Sequence, residues 1–252
     1  MKKQILFIAV TISAVLFSCS KEKIETQQNQ ALESNATSKA SSEKSSQLYI
    51  NTLNIGLVGR FEFDANLKDQ TGKLADGTPV GTRGAGAYTT DRNGNTASAL
   101  NLTGYYGLNI LDVPEPTKAS LAVWAKSLNT GYHPIVMPSM AAGNFISQSN
   151  DTYIGGEFAP QGGLGGYLGG AGSADNQWHH LVVTYDGTNI RLYKDGVLDK
   201  AFQFAGSFAE YLAKYCIGYH PNQTGYWKGY LDDLRFYNRV LTSSEVQQLA
   251  SL

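Results

Sequence analysis

From Trp178 to Leu198, polar and apolar residues alternate with a period of two. Trp178, His180, Val182 and Thr184 fall on one side of the chain and His179, Leu181, Val183 and Tyr185 on the other, which is the pattern of a strand with two unlike faces. Asp186-Gly187 reads as a turn, Ile190 and Leu192 then alternate with Asn189, Arg191 and Tyr193, and Asp195-Gly196 reads as a second turn. The segment predicts a β-meander. Short apolar runs of the same kind recur at 55–63, 99–102, 106–110, 119–126, 134–138, 144–148, 152–158 and 163–168 before the meander, and at 198–204, 215–219 and 228–237 after it. So many short strands, with no shift in composition to divide them, predict a single all-β domain over 51–252, a two-sheet sandwich or jelly roll. The one predicted helix comes last. Thr242-Ser243-Ser244-Glu245 has the spacing of a capping box, and Val246 with Leu249 gives one apolar edge, so a short C-terminal helix docks against the sandwich.

The first 18 residues stand apart from this pattern. Lys2 and Lys3 precede an apolar run from Ile5 to Phe17, the layout of a secretory signal and too short to span a membrane as a helix. Leu16-Phe17-Ser18-Cys19 resembles a bacterial lipobox, which implies cleavage before Cys19 and a lipid on that residue. Residues 19–50 are rich in Ser, Gln, Lys, Glu and Asn and cannot bury enough apolar surface to offset their ordering entropy, so they are expected to form a disordered, lipid-anchored tether. A flexible chain of that length reaches about 30 Å root-mean-square. Ser20-Lys21-Glu22-Lys23 resembles the charged segment that directs lipoproteins of the Bacteroidota to the cell surface. The expected location is therefore the outer membrane, at the cell surface or the periplasmic face.

Composition agrees with strands and tight turns: 27 Gly and 15 Tyr stand against 3 Met, and 16% of residues are charged. A net charge of −1 gives no basic surface for nucleic acid. With Cys19 lipidated, Cys216 has no partner for an intrachain disulfide and is expected to be a small buried strand residue.

Five blocks carry a family resemblance. Phe61-Glu62-Phe63-Asp64-Ala65-Asn66-Leu67-Lys68-Asp69-Gln70-Thr71-Gly72 is similar to the opening D-G-N-x-x-D-x-S-G segment of LamG-like jelly-roll domains, in the concanavalin A-like lectin and glucanase superfamily. Ala99 to Gly104 resembles their A-L-x-F-x-G strand, and Leu121-Ala122-Val123-Trp124 their tryptophan strand. The stretches from Trp178 to Gly187 and from Leu231 to Leu241 match the family's two most recognisable blocks. Ala65 stands where the family usually has Gly, and the Gly-rich stretch 155–172 does not align. The resemblance also implies a structural Ca²⁺ between the opening segment and the last strand, with Asp64 and Asp232 as side-chain ligands. Strict alternation would put Asp232 on the face of Leu234 and Phe236, a costly place for a charge without a counterion, and would leave Asp233 and Arg235 as a surface ion pair.

Because the superfamily contains glucanases, catalysis has to be weighed. Laminarinase-type members carry E-x-D-x-E on one strand, with alternate acids on one face, and this chain has no such triplet and no G-x-S-x-G elbow. His179 and His180 are adjacent, point to opposite faces of a strand and cannot share a metal, so one is expected to pack and the other to be exposed. No enzyme activity is expected. A repeated tetrapeptide is the best lead to a ligand: Gly131-Tyr132-His133-Pro134 recurs as Gly218-Tyr219-His220-Pro221, with Tyr226 and Trp227 following. If the two loops converge, Tyr132, His133, Tyr219, His220, Tyr226 and Trp227 form a stacking and hydrogen-bonding platform for sugar rings. The expected function is that of a lipid-anchored cell-envelope module that binds glycan or polysaccharide without cleaving it. Two alternatives stay open: a structural or adhesive domain that binds an envelope protein, and a glycoside hydrolase whose acid pair is borne on loops.

Overall fold

In the computed structural model the chain divides into two units, Met1–Thr52 and Leu53–Leu252. The structure describes Lys39 and residues 52–81, 88–103, 106–115, 118–128, 133–139, 143–148, 154–159, 166–170, 174–203, 211–220 and 226–252. The expected signal sequence, Cys19 and almost all of the expected tether lie outside the described residues.

Two antiparallel sheets make up the second unit. The first runs, in spatial order, β13 (Val197–Gln203), β12 (Asn189–Lys194), β11 (Trp178–Tyr185), β6 (Ala119–Ser127), β15 (Gly229–Tyr237), β4 (Ala99–Asn101) and β3 (Tyr88–Thr89), with β1 (Leu57–Phe61) also paired to β15. The second runs β10 (Gly166–Gly170), β9 (Ile154–Ala159), β8 (Gly143–Gln148), β7 (His133–Pro138), β14 (Tyr211–Ile217), β5 (Tyr106–Glu115) and β2 (Thr78–Gly81). The predicted meander is β11, β12 and β13, and its second turn has Asp195 at φ +50° and Gly196 at φ +82°, the backbone of a two-residue hairpin loop. The all-β sandwich is present as expected.

Period-two patterning explains the core. Leu121, Val123, Leu181, Val183, Leu231 and Phe236 of the first sheet meet Leu108, Ile110, Ile135, Ile146, Tyr215 and Ile217 of the second in one buried cluster. The other face of the first sheet is covered as well. Ala122, Val182, Tyr193 and Tyr237 pack under Leu241 and under Val246 and Leu249 of α1 (Ser243–Leu249). That helix begins at the predicted capping box: Glu245 N–H donates to Thr242 Oγ1 at 3.2 Å and Thr242 N–H donates to Glu245 Oε2 at 2.8 Å. Arg239 adds a two-pronged ion pair to Glu245, at 2.7 and 2.8 Å.

β15 departs from strict alternation. Asp232 lies opposite Trp124 and Arg235 opposite Ala122, so Asp233 and Leu234 together face Val123 alone, and Asp233 takes φ +47°. This bulge corrects the expected facing. Leu231, Leu234 and Phe236 all enter the core, while Asp232 turns to the outer face with Trp124. Asp233 and Arg235 do pair, through two hydrogen bonds of 2.8 Å, but they are buried and not a surface pair.

Candidate functional site

Of the first G-Y-H-P copy, His133 and Pro134 begin β7, and Gly218, Tyr219 and His220 of the second follow the end of β14. β14 runs antiparallel to β7, and beyond its end Gly218 N–H donates to the Ile135 carbonyl at 2.7 Å, which brings the second copy alongside the start of β7, where His133 and Pro134 of the first copy sit. Tyr132 lies outside the described residues, and only the backbone of His133 is described. Tyr219 and Tyr226 face each other across a β-bridge, with their rings stacked at 6.0 Å and 29°. Tyr219 is 9% exposed and packs against Met137 and Cys216, with Val80 alongside. Its hydroxyl donates to Asn109 Oδ1. The ring can lie this close only because residue 107 is glycine, since a Cβ there would sit 2.6 Å from the Tyr219 ring. Burial raises the Tyr219 hydroxyl above the ordinary tyrosine range, so it stays a neutral donor. His220 is half-buried, and burial holds its imidazole below the usual value, hence uncharged at neutral pH.

The half-buried ring of Tyr226 therefore rests on a fixed neighbour, and the result is a small aromatic ledge on the outer face of the second sheet. Trp227 has a different place. Its side chain is fully buried in the main core, and its ring fills the space a Cβ on residue 229 would need, at 2.2 Å. It presents no face to a sugar. Cys216 is fully buried beneath the same ledge, as its sequence context predicted, and burial raises its thiol.

Asp64 and Asp232, paired by resemblance, do come together, on the outer side of the first sheet. They line an open polar cavity of about 560 Å³, along with Asp91, Asp233, Arg60, Arg92 and Arg235. Asp232 is 4% exposed and its carboxylate accepts from Arg92 Nη1. The guanidinium of Arg92 in turn lies over the Trp124 ring, 4.8 Å from its centroid. An Asx turn fixes the preceding residue, with Asp91 Oδ1 accepting from the amides of Asn93 (2.8 Å) and Asn95 (2.7 Å). Burial pushes the Asp232 carboxyl up to about 7, against the lowering pull of Arg92.

These side chains do not make a calcium shell. Arg92 already supplies the countercharge that Asp232 needs, Asp64 sits exposed on the rim, and among the described residues no group of three or more His, Cys, Asp or Glu side chains is placed to hold a metal ion.

The adjacent histidines separate as their strand geometry requires. His180 is buried against Trp124 at 5.2 Å between ring centroids, and burial lowers its imidazole to about 3, so it is a neutral packing residue. His179 is bracketed by two carboxylates, with Nδ1 2.8 Å from Asp195 and Nε2 3.0 Å from Asp175. The bond to Asp195 raises it most. Sequence reasoning expected an exposed ring here and missed the bracket, because both acids sit in turns flanking β11 and β12.

An antiparallel two-sheet sandwich closed by a capped terminal helix is a jelly-roll architecture. The chain belongs to the concanavalin A-like lectin/glucanases superfamily: the Laminin_G_3 family matches residues 100–247. No curated protein matches it. Among solved structures it is similar to domain 4 of AbnA, a GH43 extracellular arabinanase from Geobacillus stearothermophilus solved in complex with arabinotriose. That match has a TM-score of 0.59 and 25% identity, over 77% of this chain and 98% of that one. It also resembles the binding domain of Paraclostridial Mosquitocidal Protein 1, with a TM-score of 0.64 and 15% identity over 79% of this chain and 52% of that one. The botulinum neurotoxin serotype D binding domain gives a TM-score of 0.63 and 12% identity over 81% of this chain and 52% of that one. This chain thus corresponds to about half the length of each toxin domain, and at those identities the likeness is one of fold. Both toxin structures are binding domains, and no catalytic motif is found in this sequence.

Proposed function

We propose that this chain is a non-catalytic carbohydrate-binding module held at the cell envelope by a lipid on Cys19. The observation that carries the reading is the ledge: a half-buried tyrosine ring, Tyr226, stacked on a second tyrosine whose hydroxyl is fixed by Asn109 and which His220 follows in the chain. An aromatic face of fixed orientation stacks on the C–H side of a sugar ring at little entropic cost, while neutral hydroxyl and imidazole groups bond its hydroxyls. Tyr132 and His133 of the first copy remain part of the proposed sugar-binding platform on the strength of the repeat. The arabinanase domain supports the ligand class, since it was solved with an arabinose trisaccharide and aligns over nearly its whole length.

The full chain should therefore bind arabinotriose or another neutral oligosaccharide on a glycan array, in competition with the free sugar. Tyr226→Ala should weaken that binding about tenfold while leaving the melting temperature near that of wild type. Unchanged binding in that variant would remove the ledge from consideration, and retention of an envelope protein with no sugar signal would favour the adhesive alternative. The anchor is tested separately. Radiolabelled fatty acid should enter the wild-type chain and not Cys19→Ser, and the fraction that carries the label should identify the membrane.

A further inference from the structure

β13 ends the first sheet, and its outer edge pairs with no other described strand. It is also where exposed apolar side chains gather: Val197 is 64% exposed, Leu198 50% and Phe202 47%. Between them sit Asp199 and Lys200. Leu198 pairs with Tyr193 and Lys200 with Leu192, so Asp199 is the bulge residue with no partner on β12. Its Oδ2 is shielded from solvent and accepts no hydrogen bond among the described residues. A shielded carboxylate oxygen without a donor is costly, and an edge strand with three exposed apolar residues invites another strand.

The order of these residues, Val197-Leu198-Asp199-Lys200-Ala201-Phe202, is complementary to itself when reversed. We infer that β13 is a self-association edge, through which two copies of this chain pair antiparallel and join their first sheets. Centred between Asp199 and Lys200, the pairing sets Val197 against the partner's Phe202, Leu198 against the partner's Ala201, and Asp199 against the partner's Lys200. Each apolar residue then meets an apolar residue, and each carboxylate meets one ammonium, giving two such ion pairs related by the two-fold axis. Charges and a bulge on an edge strand keep unrelated strands away, and only a partner with the same charges in reverse order satisfies them. A single strand pair buries less than the roughly 1,200 Å² of a standard interface, so the dimer forms at high local concentration and dissociates on dilution.

Disulfide trapping tests this in the full chain. Leu198→Cys and Ala201→Cys in one chain place two thiols opposite their partners' thiols, and mild oxidation should give a disulfide-linked dimer absent from the parent with its own two cysteines. Adding Asp199→Lys sets like charges face to face and should reduce the trapped dimer about tenfold. Adding Lys200→Asp as well restores complementarity and should recover it. No dimer beyond the parent's, a dimer indifferent to Asp199→Lys, failure of the charge exchange to restore it, or a disulfide adduct with a different protein would each overturn self-pairing.

Discussion

At Asp232 two effects compete. Burial makes ionisation costly and raises the carboxyl to about 7, whereas the Arg92 guanidinium, itself stacked on Trp124, favours the charged form. Removing Arg92 leaves a buried acid with no countercharge and uncovers the indole. Arg92→Ala should therefore cost about 3 kcal/mol in urea unfolding at pH 8. The loss should shrink near pH 5, because the unpaired carboxyl then takes up a proton and no naked charge is buried. Calcium added to the wild-type chain after chelation should leave its melting temperature unchanged, and a rise at millimolar calcium would return a metal to Asp64 and Asp232. A second residue-scale cost lies at Ala65, whose φ of +51° is in the left-handed region. Its amide is held there by the carbonyls of Ala97 (2.8 Å) and Phe63 (2.9 Å). The family's usual glycine adopts this backbone without a Cβ clash, so Ala65→Gly should raise stability by about 1 kcal/mol, measured by the same unfolding curve.

Among elements, the β11–β12–β13 meander has a titrating fastener. His179 on β11 bonds Asp195 in the β12–β13 turn, and Asp195 Oδ1 also accepts the His180 amide at 2.9 Å. Asp175, just before β11, holds the other ring nitrogen. Since the folded state raises the imidazole above 6.5, its contribution is complete below that pH and disappears as pH climbs past the raised value. His179→Gln should accordingly lose stability at about pH 5.5, by less than about 1 kcal/mol because both carboxylates are nearly half exposed, and match wild type at about pH 8.5. The strands of the meander are legible in the sequence because their pattern and turns are local. The same holds for α1, whose capping box is four consecutive residues. β2 and β3 were not foreseen, being short edge strands of four and two residues without buried positions, so nothing in their own sequence marks them. The bulge in β15 was hidden too, since strict alternation gives Asp232 and Asp233 the wrong neighbours until the pairing with β6 is known.

Across the whole molecule, the two outer faces carry different chemistry. The G-Y-H-P repeat and its aromatic neighbours were visible in the sequence, yet only the register of β7 beside β14 shows that Gly218 lies against Ile135, and only packing shows that Trp227 faces inward. Arg92 was invisible as the partner of Asp232, because 140 residues separate them along the chain. The ledge at Tyr226 belongs to the outer face of the second sheet and the Arg92–Asp232 ion pair to the outer side of the first, so their effects should add. Arg92→Ala should lower stability without altering arabinotriose affinity at a temperature where the variant is folded. Tyr226→Ala should do the reverse, and the double variant should match the sum of the two to within about 0.5 kcal/mol, by calorimetric titration beside urea unfolding. If Arg92→Ala by itself abolished sugar binding in the folded protein, the ligand would lie in the polar cavity of the first sheet and the tyrosine ledge would be structural.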